Sequence, residues 1–314
     1  MGSNPISATK GYAHKLLSHM HITPGSMILV VLEPGVLAFP QEPNPSVAAG
    51  YGRHTVDRMD KRPTVSVITA TSLREERRDY LEELHASLDA QELVRGSTWE
   101  WIVALDGLTE QRAPAHLLKD SRVKVVPVRK GGAATARNHA LALARATVTC
   151  CVDDDDLLPS PSLAVRLEHL ERFPGYAWVA GGWENIRSDG SREEWRYPAR
   201  PGVYAPGDVW RTWTSPMTTT PFGHQALLVR TDALRRVGGW QGLIQAEDLG
   251  MLVALTGETT GAVIPEIVYH YRFHEQRTMS TDEHQRNDEF YRIVAWERGR
   301  LVAEKYGVSG GFDV

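Results

Sequence analysis

Four consecutive aspartates, Asp153-Asp154-Asp155-Asp156, follow the short apolar run 148–152. Carboxylates this close together raise one another's pKa values unless a cation or hydrogen-bond donors compensate their charge. A hard divalent cation, held by one or two carboxylates and by the phosphates of a substrate, would compensate it, and Mg²⁺ or Mn²⁺ suits oxygen ligands. The run therefore predicts a metal and phosphate site, with a solvated acidic turn as the alternative.

A glycine pair is the second chemical feature. Gly131-Gly132 precedes the alanine-rich segment 133–146, which has the composition of a helix. Backbone N–H groups at the start of a helix can bind a phosphate. Neither of the common nucleotide-binding glycine signatures is present, so a simple tight turn is an equally good interpretation.

Two further groups lie in the second half of the chain. Glu247 and Asp248 begin a segment with helical spacing, where an acid can serve as a general base or can simply favour the positive end of the helix dipole. His270 and His274 lie in a segment whose period-two alternation would place both on one strand face. They could complete a metal shell or contact a diphosphate, and a structural role is the alternative.

The framework predicted for these residues is an α/β fold. Four apolar or β-branched runs are typical of strands: 65–68, 101–105, 123–128 and 148–152. Helical spacing at 81–93 and 133–146 separates them, which predicts a mostly parallel central sheet flanked by helices. Ligands bind such sheets at the carboxyl ends of the strands, where Asp106 and Asp153 occur. Helical spacing returns around 231–237, 247–256 and 285–305.

Together these motifs resemble those of the family two inverting nucleotide-sugar glycosyltransferases, which have the A-type (GT-A) fold. The resemblance extends from about residue 63 to residue 280. Its segments are Val65-Ser66-Val67-Ile68, Asp106-Gly107, Gly131-Gly132-Ala133-Ala134-Thr135-Ala136-Arg137-Asn138, Val152-Asp153-Asp154-Asp155-Asp156, Gly238-Gly239-Trp240 with Glu247-Asp248, and Tyr271-Arg272-Phe273-His274 with Ser280. The chain departs from the family pattern at Thr69-Ala70-Thr71-Ser72-Leu73, which lacks the usual Pro and Asn, and in the residues after Asp248.

The resemblance implies a role for each motif. Asp248 would be the catalytic base, and Asp155 the metal ligand, joined by His274. Residues expected to bind the donor are Thr71, Asp106, Arg137, Asp153 and Asp154. Residues expected on the acceptor side are Trp183, His224, Trp240 and Glu247. Flat aromatic faces suit sugar rings, although core packing is the commoner use of tryptophan.

The expected activity is that of a metal-dependent inverting glycosyltransferase of the hexosyltransferase type, with Mn²⁺ or Mg²⁺ as cofactor. It would move a sugar from a nucleoside-diphosphate sugar to a hydroxyl of a glycan or a small-molecule acceptor. The expected organisation has four parts: a poorly ordered N-terminal extension over 1–62, a donor-binding half over 63–181, a smaller mixed acceptor-binding half over 182–275, and a C-terminal helical segment over 276–314.

The amino-acid composition limits which binding partners and which cellular compartment are expected. The 314 residues include 35 Lys and Arg against 39 Asp and Glu, so there is no strong positive field for a nucleic acid. The only cysteines, Cys150 and Cys151, are adjacent and cannot form a disulfide framework or a four-ligand zinc site, which favours a reducing cytoplasm. The longest apolar N-terminal run, 27–32, is too short for a membrane span or a signal peptide.

Two other functional classes compete with this interpretation. A phosphohydrolase of the haloacid dehalogenase kind also places Asp-x-Asp after an apolar strand, but usually after the first strand, whereas three candidate strands precede Asp153 here. A catalytically silent fold that only binds a nucleotide sugar or a glycan is the other alternative. The presence of both Asp155 and Asp248 argues against it.

Overall fold

The structure, a computed structural model, describes residues 62–94, 96–195, 197–213, 219–274 and 282–305. The extension predicted over 1–62 lies outside the described residues except for Arg62. The described strands are β1 (Val65–Thr71), β2 (Trp99–Asp106), β3 (Val123–Val128), β4 (Val148–Cys151), β5 (Trp178–Arg187), β6 (Arg192–Trp195), β7 (Gly202–Tyr204), β8 (Leu227–Arg230) and β9 (Gly261–Phe273). The described helices are α1 (Arg78–Asp89), α2 (Ala115–Lys119), α3 (Gly132–Leu143), α4 (Ser162–Arg172), α5 (Thr231–Arg236), α6 (Glu247–Glu258) and α7 (Asp282–Glu304).

A single sheet contains the nine described strands in the order β3-β2-β1-β4-β8-β5-β9-β7, with β6 paired to β5. The first four strands are parallel to one another, and β9 is parallel to β5. Between β4 and β5 lies β8, which is antiparallel to both. Six of the described strands therefore run in one direction, which confirms the predicted mostly parallel sheet.

Side chains of each strand alternate between two hydrophobic cores. In β1, Val67 joins the core beneath α1, where Leu84 is fully buried, while Ile68 joins the core beneath α3. The adjacent cysteines of β4 divide in the same way, since Cys150 belongs to the first core and Cys151 to the second. Complete burial of an aliphatic side chain stabilises the fold by about 1.5–3 kcal/mol, which fixes the register of each strand.

The last described helix packs along α6 through small residues. A Cβ atom on Gly299 of α7 would lie 2.6 Å from the Val253 Cβ atom of α6. Glycine at that position therefore lets the two backbones approach closely. The packing brings Asp288 and Arg292 of α7 to the edge of the cleft described next.

Candidate active site

The carboxyl ends of β1, β2 and β4 and the start of α6 border one cleft of about 460 Å³. Nine of the twelve predicted site residues line it: Thr71, Asp106, Arg137, Asp153, Asp154, Asp155, His224, Glu247 and Asp248. A larger cavity of about 700 Å³ lies at the opposite end of β4, beside Arg145 and Arg230. None of the predicted site residues lines that cavity, so we place the functional site in the smaller cleft.

Asp153 is held by donors from two other elements. The Nη2 atom of Arg137 lies 2.6 Å from its Oδ1 atom, and the side-chain amide of Gln225 donates to Oδ2 at 3.0 Å. Burial alone would raise the pKa of this carboxyl group, but the charges of Arg137 and His224, together with the hydrogen bonds from Gln225 and Arg137, outweigh burial and lower it. Asp153 is therefore anionic at neutral pH and fixed in orientation.

Asp154 contacts the first strand. The Thr71 hydroxyl donates to its Oδ2 atom at 2.5 Å, and the Nη1 atom of Arg77 lies 2.9 Å from Oδ1. Burial and the neighbouring charge of Asp155 nevertheless raise the pKa of Asp154. Thr71 and Asp154 thus form a hydrogen-bonded pair on the cleft wall, and both are predicted to bind the donor.

Asp155 lies beside the predicted histidine. Its Oδ2 atom is 2.9 Å from Nε2 of His274 and 3.1 Å from Nη1 of Arg77. Both side chains of the Asp155 and His274 pair are largely buried, at 12% and 7% exposed. The structure therefore brings the two predicted metal ligands together, although only Asp155 lines the cleft.

Asp156 turns away from the cleft. Its side chain accepts a hydrogen bond from the Tyr269 hydroxyl at 2.6 Å and another from the backbone N–H of Arg272 at 2.7 Å. Burial, followed by the charges of Asp155 and Asp153, raises its pKa well above the usual value. Asp156 thus ties the end of β4 to β9, and the acidic run is a largely buried feature rather than a solvated turn.

Arg137 joins the two halves of the site. Its Nη1 atom lies 2.6 Å from Oε1 of Glu247, at the start of α6, while Nη2 holds Asp153. The arginine side chain is only 7% exposed. Just before Glu247, Ala246 has a left-handed φ of +55°, a strained conformation of the kind often found at functional sites. The predicted donor-binding arginine is therefore engaged by two carboxylates, one from each half.

Asp248 is paired with a buried histidine. The Nδ1 atom of His224 lies 3.0 Å from Oδ2 of Asp248, whose side chain is one-third exposed and lines the cleft. Burial alone would lower the pKa of His224, but the hydrogen bond and charge of Asp248 outweigh burial and raise it to about 10. In turn, burial favours the neutral form of Asp248, yet His224 and Arg137 hold its pKa well below the usual range. Asp248 is therefore ionised and oriented.

This pair predicts a pH dependence of stability. The pKa of His224 is raised from 6.5 to about 10 by folding, so the stabilisation by the pair is complete below pH 6.5 and is lost as the pH rises through 10. The difference in unfolding free energy between the wild type and His224→Asn should shrink across this window, by at most about 1.4 kcal/mol per pH unit. Urea unfolding measures it, and a difference that stays constant across the window would contradict the pairing.

Asp106 binds the glycine turn. Its Oδ1 atom accepts hydrogen bonds from the N–H groups of Gly131, at 2.8 Å, and Gly132, at 3.1 Å. Gly132 has a φ of +83°, which favours glycine at this first residue of α3. Since Asp106 already satisfies both N–H groups, the structure favours the tight-turn interpretation of the glycine pair over direct phosphate binding.

The two predicted tryptophans lie behind the cleft wall. Trp240 is 2% exposed and packs edge-on against His224, with ring centroids 6.3 Å apart. Trp183 is partly buried and stacks on Tyr271, with centroids 5.3 Å apart and planes 12° from parallel. The rings that they contact, His224 and Tyr271, line the cleft, whereas the two tryptophans do not. Acceptor contacts by either tryptophan stay a prediction.

Several residues of the site do not belong to any of the motifs found in the sequence. Arg77 contacts both Asp154 and Asp155, and Gln225 orients Asp153. Arg77 follows the first strand by six residues, a position where a cation near the acidic run could have been suspected. Arg292 and Asp288 of α7 form an ion pair, 2.7 Å apart, that borders the cleft. Both residues belong to the C-terminal segment, outside the predicted donor-binding and acceptor-binding halves.

No described helix has both the length and the apolar composition needed to span a membrane. Residues 66–236 match the model of glycosyl transferase family 2. No curated protein sequence matches the chain.

Among solved structures, S. aureus TarS 1-349 in complex with UDP-GlcNAc superposes with a TM-score of 0.57 at 16% identity, covering 77% of this chain and 71% of that one. The complex of TarS 1-349 with UDP gives a TM-score of 0.54 at 17% identity, with coverages of 77% and 70%. For the crystal structure of TarS, the TM-score is 0.54 at 16% identity, with 77% of this chain and 42% of that chain covered.

Proposed function

The chain belongs to glycosyl transferase family 2, and we propose that it transfers a sugar, such as a hexose, from a nucleoside diphosphate to an acceptor hydroxyl with inversion at the anomeric carbon. One observation carries the proposal. The carboxylates of Asp153 and Asp155, at the end of β4, and that of Asp248, at the start of α6, line the same cleft. Asp153 and Asp155 can serve the leaving diphosphate, and Asp248 can serve the incoming hydroxyl. The match to this family also argues against the phosphohydrolase alternative.

The donor is proposed to lie over the ends of β1, β2 and β4. Thr71, Asp106 and Asp154 line that part of the cleft. Two of the TarS structures are complexes with UDP-GlcNAc and with UDP, so uridine diphosphate is the first nucleotide to test. Asp106 lies at the carboxyl end of β2, where the family resemblance expects a contact to the nucleoside base.

The residues around Asp155 fit a divalent cation. A carboxylate oxygen and an imidazole nitrogen, 2.9 Å apart, form a donor pair of the kind that Mn²⁺ accepts, and Asp153 and Asp154 lie beside it. Mn²⁺ or Mg²⁺ there would neutralise the charge that develops on the leaving diphosphate. Arg77, which contacts both Asp154 and Asp155, adds a fixed positive charge on the same side.

Asp248 is proposed to act as the general base. As the acceptor oxygen forms its bond to the anomeric carbon, the bond from that carbon to the diphosphate breaks and the hydroxyl proton passes to Asp248. General base assistance of this kind typically contributes about 10²–10⁴-fold in rate. His224 holds one carboxylate oxygen of Asp248, and the exposed third of the side chain faces the cleft. Glu247, bound by Arg137, keeps the start of α6 in place.

Substitutions of Asp106 should separate donor binding from turn structure. Asp106→Asn retains an oxygen that can accept from Gly131 and Gly132, whereas Asp106→Ala removes it. If Asp106 contacts the base through its charge, Asp106→Asn should raise the donor KM by about tenfold, with kcat at saturating donor little changed. Asp106→Ala should raise KM further and also lower the thermal stability. A large fall in kcat for Asp106→Asn would contradict this role.

A ligand screen tests the proposed function without knowledge of the acceptor. Thermal unfolding is measured with UDP, GDP, ADP and CDP, each with and without Mn²⁺. A ligand that binds only the folded state raises stability in proportion to ln(1 + [L]/Kd). We expect one nucleotide to raise Tm when Mn²⁺ is present and to have less effect on Asp155→Asn. The absence of any shift with all four nucleotides would contradict the proposal.

A further inference from the structure

His224 has a second ring nitrogen that the proposed reaction does not use. The residue is 3% exposed, and Nδ1 is occupied by Asp248. Its Nε2 atom is buried and lacks a hydrogen-bond partner within the described part of the chain. A buried polar atom without a partner is costly and calls for a physical explanation. The neighbouring groups supply one.

Two other side chains with metal-binding atoms lie close to the His224 ring. The ligand atoms of Cys151, Asp153 and His224 all lie within 4.8 Å of one another. Around a tetrahedral zinc ion, such atoms are roughly 3.4 to 3.6 Å apart, from bond lengths of about 2.0–2.3 Å. The three atoms would therefore have to approach one another by at most about 1.4 Å to bind such an ion. We propose that Cys151, Asp153 and His224 form a binding site for a thiophilic divalent cation such as Zn²⁺, separate from the position beside Asp155 and His274.

The donor set favours a soft cation over Mg²⁺. A thiolate, an imidazole and a carboxylate are the ligands that Zn²⁺ takes in proteins, with water completing the shell. A histidine that binds a metal generally donates its other ring N–H to a carboxylate, as the Nδ1 atom of His224 can do to Asp248. Asp153 is likewise fixed, by Arg137 and Gln225. The outer contacts of a zinc site are thus already formed.

Protons compete with the cation at this site. A thiolate and an unprotonated imidazole nitrogen are the forms that bind a metal ion, so binding displaces the protons that these two groups carry. Arg137 opposes binding through its positive charge. The apparent affinity should therefore strengthen as the pH rises, with release of protons.

A cation here would regulate the proposed transfer. It would engage Asp153, which the proposed function places on the donor side of the cleft. A carboxylate occupied by this cation is no longer available to the donor cluster, so Zn²⁺ should inhibit transfer. This consequence rests on the proposed function, whereas the metal site itself does not.

The test titrates Co²⁺, a spectroscopic substitute for Zn²⁺, into the full chain in the presence of excess Mg²⁺, which occupies the hard-cation position. A thiolate ligand gives a sulfur-to-cobalt charge-transfer band, and Zn²⁺ should abolish the band by displacement. We expect one equivalent to bind. The band should disappear in Cys151→Ser, persist in Cys150→Ser, and need at least about tenfold more Co²⁺ in His224→Asn. Adjacent Cys150 is the matched control because it faces the other core.

Absence of the band in the wild type would overturn the proposal, whatever the variants do. Its persistence in a folded Cys151→Ser, or its equal loss in Cys150→Ser, would also overturn it. If Cys151→Ser does not fold, Cys151→Ala takes its place. Sugar transfer is assayed separately. If the protein binds Co²⁺ through Cys151 but turns over no sugar nucleotide, the metal site is supported and the proposed function is refuted.

Discussion

Asp155→Asn should reduce sugar transfer by at least about 10³-fold. The substitution keeps the size of the side chain while removing the charge expected to hold a divalent cation and, through it, the diphosphate. Stabilisation of the leaving group is worth several kcal/mol, and each 1.4 kcal/mol changes the rate tenfold. His274 lies 2.9 Å from Asp155 and would be left without its acidic partner. Steady-state rates with saturating Mn²⁺ measure the loss, and Mn²⁺ binding measured by electron paramagnetic resonance should weaken in parallel.

The chain offers a matched control for this substitution. Asp120, outside the cleft, also contacts a histidine and an arginine: His85 at 3.0 Å and Arg122 at 2.6 Å. Asp120→Asn therefore removes a carboxylate from the same kind of cluster, and the rate of sugar transfer should stay within about twofold of the wild-type rate. Full turnover in excess chelator, or near-normal turnover by Asp155→Asn, would refute the metal requirement.

Asp248→Asn should lower kcat by about 10²-fold or more while leaving donor affinity almost unchanged. The amide oxygen can still accept a hydrogen bond from Nδ1 of His224, so the geometry is preserved, but an amide cannot take the proton of the acceptor. The donor is expected over β1, β2 and β4, which the substitution does not touch. Comparing kcat with the donor KM separates a lost base from lost binding.

Glu258, at the other end of the same helix, provides the control. Its largely buried carboxylate pairs with the half-exposed Arg236 at 3.0 Å and does not line the cleft. Glu258→Gln should therefore retain kcat within about twofold. If Asp248→Asn and Glu258→Gln had equal turnover, Asp248 could not be the base.

The first half of the fold could be predicted because each of its strands is a compact apolar run. The runs 65–68 and 101–105 lie within β1 and β2, which are buried on both faces, and buried parallel strands have this composition. In the second half of the chain, the sequence patterns predict the strands less clearly. In β5, Gly181 and Gly182 interrupt the apolar pattern where β9 passes closely, since a Cβ on Gly181 would be 2.6 Å from Val268. The antiparallel direction of β8 could not be predicted, because periodicity does not encode strand direction.

The site could be predicted as a set of residues but not as a set of contacts. Asp153, Arg137 and Glu247 follow from motifs, yet their connection depends on tertiary folding that brings α6 to α3. Arg137 and Glu247 are 110 positions apart, and no local spacing indicates that one neutralises the other. The partners of Asp155 divide in the same way: His274 belongs to a motif, whereas Arg77 lies outside every motif.

The stereochemistry of donor cleavage tests the central claim most directly. With water as the slow acceptor, the anomeric proton of an α-linked nucleoside-diphosphate sugar, one that the ligand screen identifies, is followed by NMR. In-line displacement assisted by Asp248 predicts that the first free sugar formed is the β anomer, appearing before mutarotation and at a much lower rate in Asp248→Asn. An α anomer as the first product, or a bound donor whose signal never declines, would contradict the account.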